Sequence, residues 1–281
     1  MKLGTLVGIR DVGKAAVVFE NVREMGFSSC QFGYRPADKY TASDAALIRK
    51  AADGAGIELS AQMAGFRDND VRYDIYYGFL MNGLNVDAYR NSRLEYLYET
   101  AQFLQDIGVT DMIVHAGYLP NNPFTPEYAS MLAAAYLLAD RCKPLGVNLL
   151  FETGPESPVS LLRLIEDIGT GNVYINLDTA NLIMYGYGNP VDALHTFGRY
   201  VRNFHAKDGL PPTNTREVGL EVPLGQGNVN FDAVFAKLRT LDYDRFITIE
   251  REISGDQQRR DIIAGKEFLE GLLVKYGWTI E

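Results

Sequence analysis

Four short apolar runs in this chain end on, or just past, a side chain that can hold a metal ion. Residues 147–152 (VNLLFE) end in Glu152, 173–178 (VYINLD) in Asp178, and 246–250 (FITIE) in Glu250. In 200–208 (YVRNFHAKD) the aromatic and β-branched part stops at His205, before Lys207, Asp208 and the chain-breaking Gly209 and Pro211-Pro212. Three carboxylates and one imidazole form a hard, oxygen-dominated donor set. It suits Mn²⁺ or Mg²⁺ more than a thiolate-loving metal, and Zn²⁺ or Co²⁺ would still fit; Mn²⁺ is the ion expected. One such acid alone would be an ordinary member of a loop hydrogen-bond network. Four on consecutive strands, with His205 among only three histidines, point to a metal centre.

For those side chains to meet, their strands must lie parallel and adjacent, about 4.8 Å apart. The order of elements supplies this. Residues 2–9 read as a strand and 12–25 as a helix closed by Gly26. Strands are expected at 27–32 and 57–63. The helix between them opens at Ser43, carries Asp44 in its first turn and ends at Gly56. A helix at 93–107 ends at Gly108, and 112–115 is a strand ending in HAGY. Thr125, before Pro126, starts a helix running to 145 at most, and Ser157-Pro158 starts one ending near Gly169. A polar turn and helical residues 191–198 precede the strand to His205. A loop at 209–230, a helix at 231–241, the strand at 246–250 and a closing helix at 257–276 complete the chain. Eight β-α units with short joints predict one (β/α)₈ TIM barrel over residues 1–281, whose C-terminal strand tips carry the chemistry. No Gly-rich phosphate fingerprint follows the first strand, which argues against an open doubly wound sheet.

Residues 64–91 break the rhythm. This stretch between the third strand and the next helix begins Gly65-Phe66-Arg67 and holds Tyr73, Tyr76, Tyr77 and Tyr89. A loop of this length reads equally as a lid over the barrel mouth or as an interface in a homo-oligomer.

Composition sets the bounds. An apolar fraction of 47% is ample for a core, and a charged fraction of 22% is ordinary for a soluble protein. The net charge of −9 argues against a nucleic-acid surface. Cys30 and Cys142 lie outside any metal spacing and read as reduced thiols of a cytoplasmic protein. No run approaches the roughly 20 apolar residues of a membrane span, and the first residues read as a strand, not a signal peptide.

The segments FETGPES, INLDTANLIMYGYGNPVDAL, VRNFHAKDG, VPLGQGNVNFDAV and ITIEREISG resemble the xylose-isomerase-like TIM-barrel superfamily. Within it they resemble the sugar phosphate isomerase/epimerase branch, relatives of the ketose 3-epimerases. The likeness spans strands 4 to 8, over half the chain, while the N-terminal third matches only in pattern. It implies metal ligation by Glu152, Asp178, His205 and Glu250, and proton transfer by the two glutamates. The implied reaction abstracts a proton beside the carbonyl of a carbohydrate through a metal-stabilised enediolate. Glu152 and Glu250 come from strands three apart, so they can serve opposite faces of one carbon.

His115, beside Glu152, is expected to bind a substrate oxygen or to orient Glu152. Glu156 is a candidate for a substrate hydroxyl, or else a helix N-terminal acid. Lys207 could bind an anionic group with Asp208 as its partner, or form an exposed salt bridge. Arg251 should point to the helix layer, and His195 lies on a helix surface. Ketose epimerases often carry a histidine three residues after the metal-binding aspartate; here Asn181 stands there, able to bind a hydroxyl but not to act as an acid. The related DNA-repair endonucleases use extra histidines, and residues 219–227 have no Asp-x-His. The runner-up activity is a lyase that dehydrates a keto-sugar or keto-inositol; a non-catalytic sugar- or metal-binding protein is the third class.

Overall fold

The apolar runs pair as their ends require. A computed structural model describes residues 1–67 and 74–279. Its barrel strands are β1 (Lys2–Ile9), β2 (Ser29–Tyr34), β3 (Glu58–Met63), β4 (Asp111–His115), β5 (Asn148–Glu152), β6 (Val173–Asp178), β7 (Val201–Ala206) and β8 (Phe246–Ile249). They close in the order β1-β8-β7-β6-β5-β4-β3-β2, and every pairing is parallel. This is the (β/α)₈ barrel that the sequence predicts.

Helix boundaries follow their caps. Thr41, two residues before the expected Ser43, caps Ala42–Ala55 by accepting the N–H of Asp44, and Gly56 ends that helix at φ 67°. Thr125 and Ser157 cap Pro126–Cys142 and Pro158–Ile168, each with proline in the first turn. Leu161, Leu164, Ile165 and Ile168 give the second of these one buried face at helical spacing. Among the described residues no helix is long and apolar enough to cross a membrane. Cys30 and Cys142 are buried free thiols, and burial pushes the Cys142 thiol up to about 12.

Three regions depart from expectation. β2 lies two residues later than 27–32, because Gly33 and Tyr34 continue the ladder against Gly8 and Ile9. That places Gln31 in the middle of the strand. The polar turn after β6 is a short helix, Asn181–Met184, nucleated when Asp178 Oδ1 takes the N–H groups of Ala180 and Asn181. Residues 64–91 are not one open loop. They contain the helical turn Gly78–Met81, and the next helix, Asp87–Ile107, starts six residues earlier than expected. Tyr73 lies outside the described residues.

The described part of this stretch is tied down by its own chain. The buried Arg93 guanidinium donates to Gly83 O at 2.5 Å and Met81 O at 2.8 Å, and lies 4.3 Å from the Phe66 ring centre. Gly83 bridges to Gly117, and a Cβ on either would fall within 2.4 Å of the other segment's backbone, so this crossing needs glycine on both sides. Tyr118 Oη donates to Asp74 O, and Ile75 N to Arg216 O. Tyr76, Tyr77, Phe79 and Leu80 remain exposed.

The loop after β7 is organised by one carboxylate. Asp208 is buried and accepts N–H groups from Gly209, Gly225, Gly227 and Val229 at 2.8–3.1 Å. A two-residue antiparallel pairing of Asp208–Gly209 with Glu221–Val222 completes the fold-back. The expected Lys207–Asp208 pair does not form: the Asp208 carboxylate is taken up by these four N–H groups, and the Lys207 ammonium goes to Glu250, Asp178 and Glu252. Asp208→Ala should leave these N–H groups unpaired and cost about 1–3 kcal/mol in urea unfolding. Amide exchange should speed up at Gly225, Gly227 and Val229 first; unchanged exchange there would show that the carboxylate does not hold the loop.

Candidate metal centre

The strand ends decide what meets at the barrel mouth. Glu152 and Asp178 are the last residues of β5 and β6, His205 is the penultimate residue of β7, and Glu250 immediately follows β8. Asp178 pairs in register with His205, and His205 with Thr248, two residues before Glu250. All four side chains are buried, and one ligand atom from each lies within 4.8 Å of every other. His205 Nδ1 faces the acids, 2.7 Å from Glu152 Oε1, 3.2 Å from Glu250 Oε2 and 3.8 Å from Asp178 Oδ2. Its Nε2 lies 2.6 Å from Gln31 Oε1.

The donor chemistry fits a divalent, oxygen-preferring ion. Asp178 shows this most directly: Oδ1 is held by two backbone N–H groups, while the buried Oδ2 accepts no hydrogen bond. Thr153 fixes the strand end from the other side, its hydroxyl donating to Asp178 O at 2.9 Å and accepting from Asp178 N at 2.8 Å.

Charge balance shapes the centre. Burial, joined by Glu250 and Glu152 and opposed by Lys207 and His205, raises the Asp178 pKa well above the usual carboxylate range. Burial would lower His205, but the Glu250 and Glu152 carboxylates outweigh it and hold the imidazole well above its ordinary value. Burial would raise Glu250, yet Lys207 and His205 bring it well below. The Lys207 ammonium sits 3.2 Å from Glu250 Oε2, 3.6 Å from Asp178 Oδ2, 3.4 Å from Asn181 Oδ1 and 2.6 Å from Glu252 Oε1.

The other residues singled out by sequence fall as follows. Lys207 is not paired with Asp208; it is buried beside Asp178 and Glu250 and reaches out to the exposed Glu252. His115 Nε2 lies 3.2 Å from Glu152 Oε2. Asn181 donates to Thr153 O at 3.0 Å. Glu156 is not a helix-terminal acid: Ser157 does the capping, and the buried Glu156 carboxyl accepts from Gly154 N at 2.9 Å through Oε1, with no hydrogen bond to Oε2. Arg251 turns outward to Asp261 on the closing helix and to Glu221. His195 is exposed on its helix. Sequence reasoning missed Gln31 and Glu252. A lone amide inside an otherwise barrel-lining strand was the only local signal for the first, and Glu252 had none.

Comparison with known proteins agrees with this architecture. The family model described as "Xylose isomerase-like TIM barrel" matches residues 19–272. The crystal structure of a xylose isomerase domain protein from Planctomyces limnophilus superposes with a TM-score of 0.90 at 31% identity, covering 98% of both chains. An L-ribulose 3-epimerase of Mesorhizobium japonicum is 27% identical over 82% of this chain and 73% of its own. An inosose dehydratase of Geobacillus kaustophilus is 23% identical over 84% of this chain and 79% of its own. The match to an uncharacterized protein of Methanocaldococcus jannaschii, 27% identical, spans 58% of this chain and 56% of that one.

Glu156 gives the centre a measurable pH signature. Burial, with Glu152 nearby, pushes its carboxyl up to about 8, so the folded state holds this proton more tightly than the unfolded chain does. Stability from this group is therefore present at low pH and lost as pH rises from the ordinary carboxylate range to about 8. In metal-free protein, Glu156→Gln should remove that component. Urea unfolding at pH 5.5 and 8.5 should show a smaller loss in the variant than in the wild type; equal losses would place the Glu156 titration at its ordinary value.

Proposed function

The chain belongs to the xylose isomerase-like TIM-barrel family, and we propose that it is a divalent-metal-dependent sugar epimerase or isomerase. Its reaction starts by removing a proton from the carbon beside a carbonyl. The observation that carries this reading is the convergence of Glu152, Asp178, His205 and Glu250 within 4.8 Å. These four would hold the metal, with Mn²⁺ the ion their donor set suits best. An ion held there would supply Lewis-acid stabilisation of the negative charge that proton removal leaves on the substrate.

The chain's own groups account for the proton transfers. Glu152 and Glu250 stand three strands apart and both lie within 3.2 Å of His205 Nδ1. One, ionised, takes the proton, and the other, carrying a proton of its own, delivers that one to the opposite face, inverting the carbon; exchange with water restores both carboxyls. Lys207 holds Glu250 ionised and presents a cation to substrate oxygens. His115, Asn181 and the Glu156 carboxyl, whose Oε2 is unengaged, line up as substrate contacts around Glu152 and Lys207. A cytoplasmic setting accords with two buried free thiols.

A dehydratase reading keeps the same abstraction and adds departure of a β-hydroxyl, which needs an acid. One observation favours it: Glu156 holds its proton up to about pH 8, and so could supply one at neutral pH. Product mass separates the two, since only dehydration loses water.

Purified protein should hold about one divalent ion per chain, and chelation should lower its Tm because the ion binds only the native state. His205→Ala should lose most of that binding. Elemental analysis finding no ion in active protein would remove the foundation of the reading.

Gln keeps the shape of Glu but its amide cannot take up a proton. Glu152→Gln and Glu250→Gln, each metal-loaded, should therefore cut turnover by about 10²- to 10⁴-fold. Incubating a sugar library in deuterated water should reveal carbon-bound exchange by wild type. One variant should still exchange deuterium without forming product. Near-normal turnover in both would leave the glutamates as ligands alone.

A further inference from the structure

His205 is gripped on both sides of its ring. Nδ1 points into the carboxylate cluster, and Nε2 meets Gln31 Oε1 at 2.6 Å. Gln31 belongs to β2, which β1 and β8 separate from β7 around the barrel, so its side chain reaches across the interior. Its orientation is fixed in turn. The Gln31 amide nitrogen donates to Asn203 Oδ1 at 3.1 Å and lies 3.4 Å from Asn176 Oδ1. With its NH₂ group turned toward two acceptors, the amide has one way to face His205, oxygen first. Gln31, Asn176, Asn203 and His205 are all fully buried, so bulk water does not compete for these contacts. An imidazole that ligates an ion is neutral, and with a fixed acceptor at Nε2 it keeps its one proton there and presents the Nδ1 lone pair.

We propose that Gln31 is a positioning residue: it fixes the ring and tautomer of His205 so that Nδ1 is the metal-binding nitrogen. The inference rests on reading the four converging side chains as a metal centre. Its plain competitor is that Gln31 merely fills the barrel. Gln62, on the neighbouring β3, separates the two. It is an equally buried amide, but its NH₂ group goes to Tyr34 O at 2.9 Å and Tyr40 Oη at 3.2 Å, away from the four ligands. Without an acceptor at Nε2, the tautomer protonated on Nδ1 gains ground. The ring would then present a donor, and not a lone pair, to the site of the ion.

The test is Mn²⁺ titration by calorimetry into metal-free wild type, Gln31→Met, Gln31→Glu and Gln62→Met. Gln31→Met, isosteric but lacking the acceptor, should bind about 10- to 100-fold more weakly. Gln31→Glu restores an acceptor and should recover most of the affinity, while Gln62→Met should bind like wild type. Nitrogen-15 histidine spectra of Zn²⁺-loaded wild type, which need no variant to fold, should show the proton on Nε2 and the metal on Nδ1. Wild-type affinity in Gln31→Met, or a protonated Nδ1 in the loaded wild type, would overturn the inference while leaving the metal centre standing. Wild type that binds no ion would overturn the metal centre and this inference together.

Discussion

Three carboxylates packed around one imidazole, away from water, set the terms for the rest of this molecule. Like charges this close in a low-dielectric site repel strongly, and burial penalises each ion further. The chain answers with opposite charge and oriented dipoles. Lys207 reaches Asp178 and Glu250, the backbone N–H groups of Ala180 and Asn181 hold Asp178, and His205 lies among all three acids. The remaining imbalance is what a dication would neutralise. Burial is what makes the cluster costly, and it is also what makes a bound ion's field strong at a reacting carbon.

The barrel is the device that sustains this concentration. Parallel strands deliver their C-terminal ends to one rim, and closure leaves no edge through which the cluster could spread apart. Above the rim, loops are fixed by single buried groups and not by regular structure. Asp208 gathers four N–H groups of the loop after β7. Arg93 takes the carbonyls of Gly83 and Met81 in the stretch after β3. A buried ion whose hydrogen bonds are satisfied can order irregular backbone that has no ladder to rely on.

Below the rim the interior is divided. Ala61, Ile113 and Leu150 form a small apolar cluster apart from the main core, as bulky barrel layers normally do. On β2, β6 and β7 the buried side chains Gln31, Asn176 and Asn203 are amides, linked through Gln31 to one another and to His205. Amides at these sites give up apolar packing in return for direction, because a hydrogen bond orients a ring and dispersion does not. The Nδ2 atoms of Asn176 and Asn203 have no hydrogen-bond partner, which shows the cost of that choice.

The sequence by itself determined the repeating strand-helix order, the caps at Thr125 and Ser157, and the identity of the four converging side chains. These depend on short-range chemistry: periodicity, capping within three residues, and the ending of an apolar run on one polar residue. The same local view placed β2 two residues early, since Gly33 and Tyr34 look like a strand end until β1 is beside them. It could not tell where Lys207 and Asp208 point, and adjacency in sequence suggested a pair that the other partners of both side chains preclude. Only the tertiary structure decided that Lys207 joins the carboxylates, that Glu156 is buried beside Glu152, and that Gln31, 174 positions from His205, supports its ring. Such contacts depend on the closed barrel, where strands remote in the chain face one another across an interior a few side chains wide.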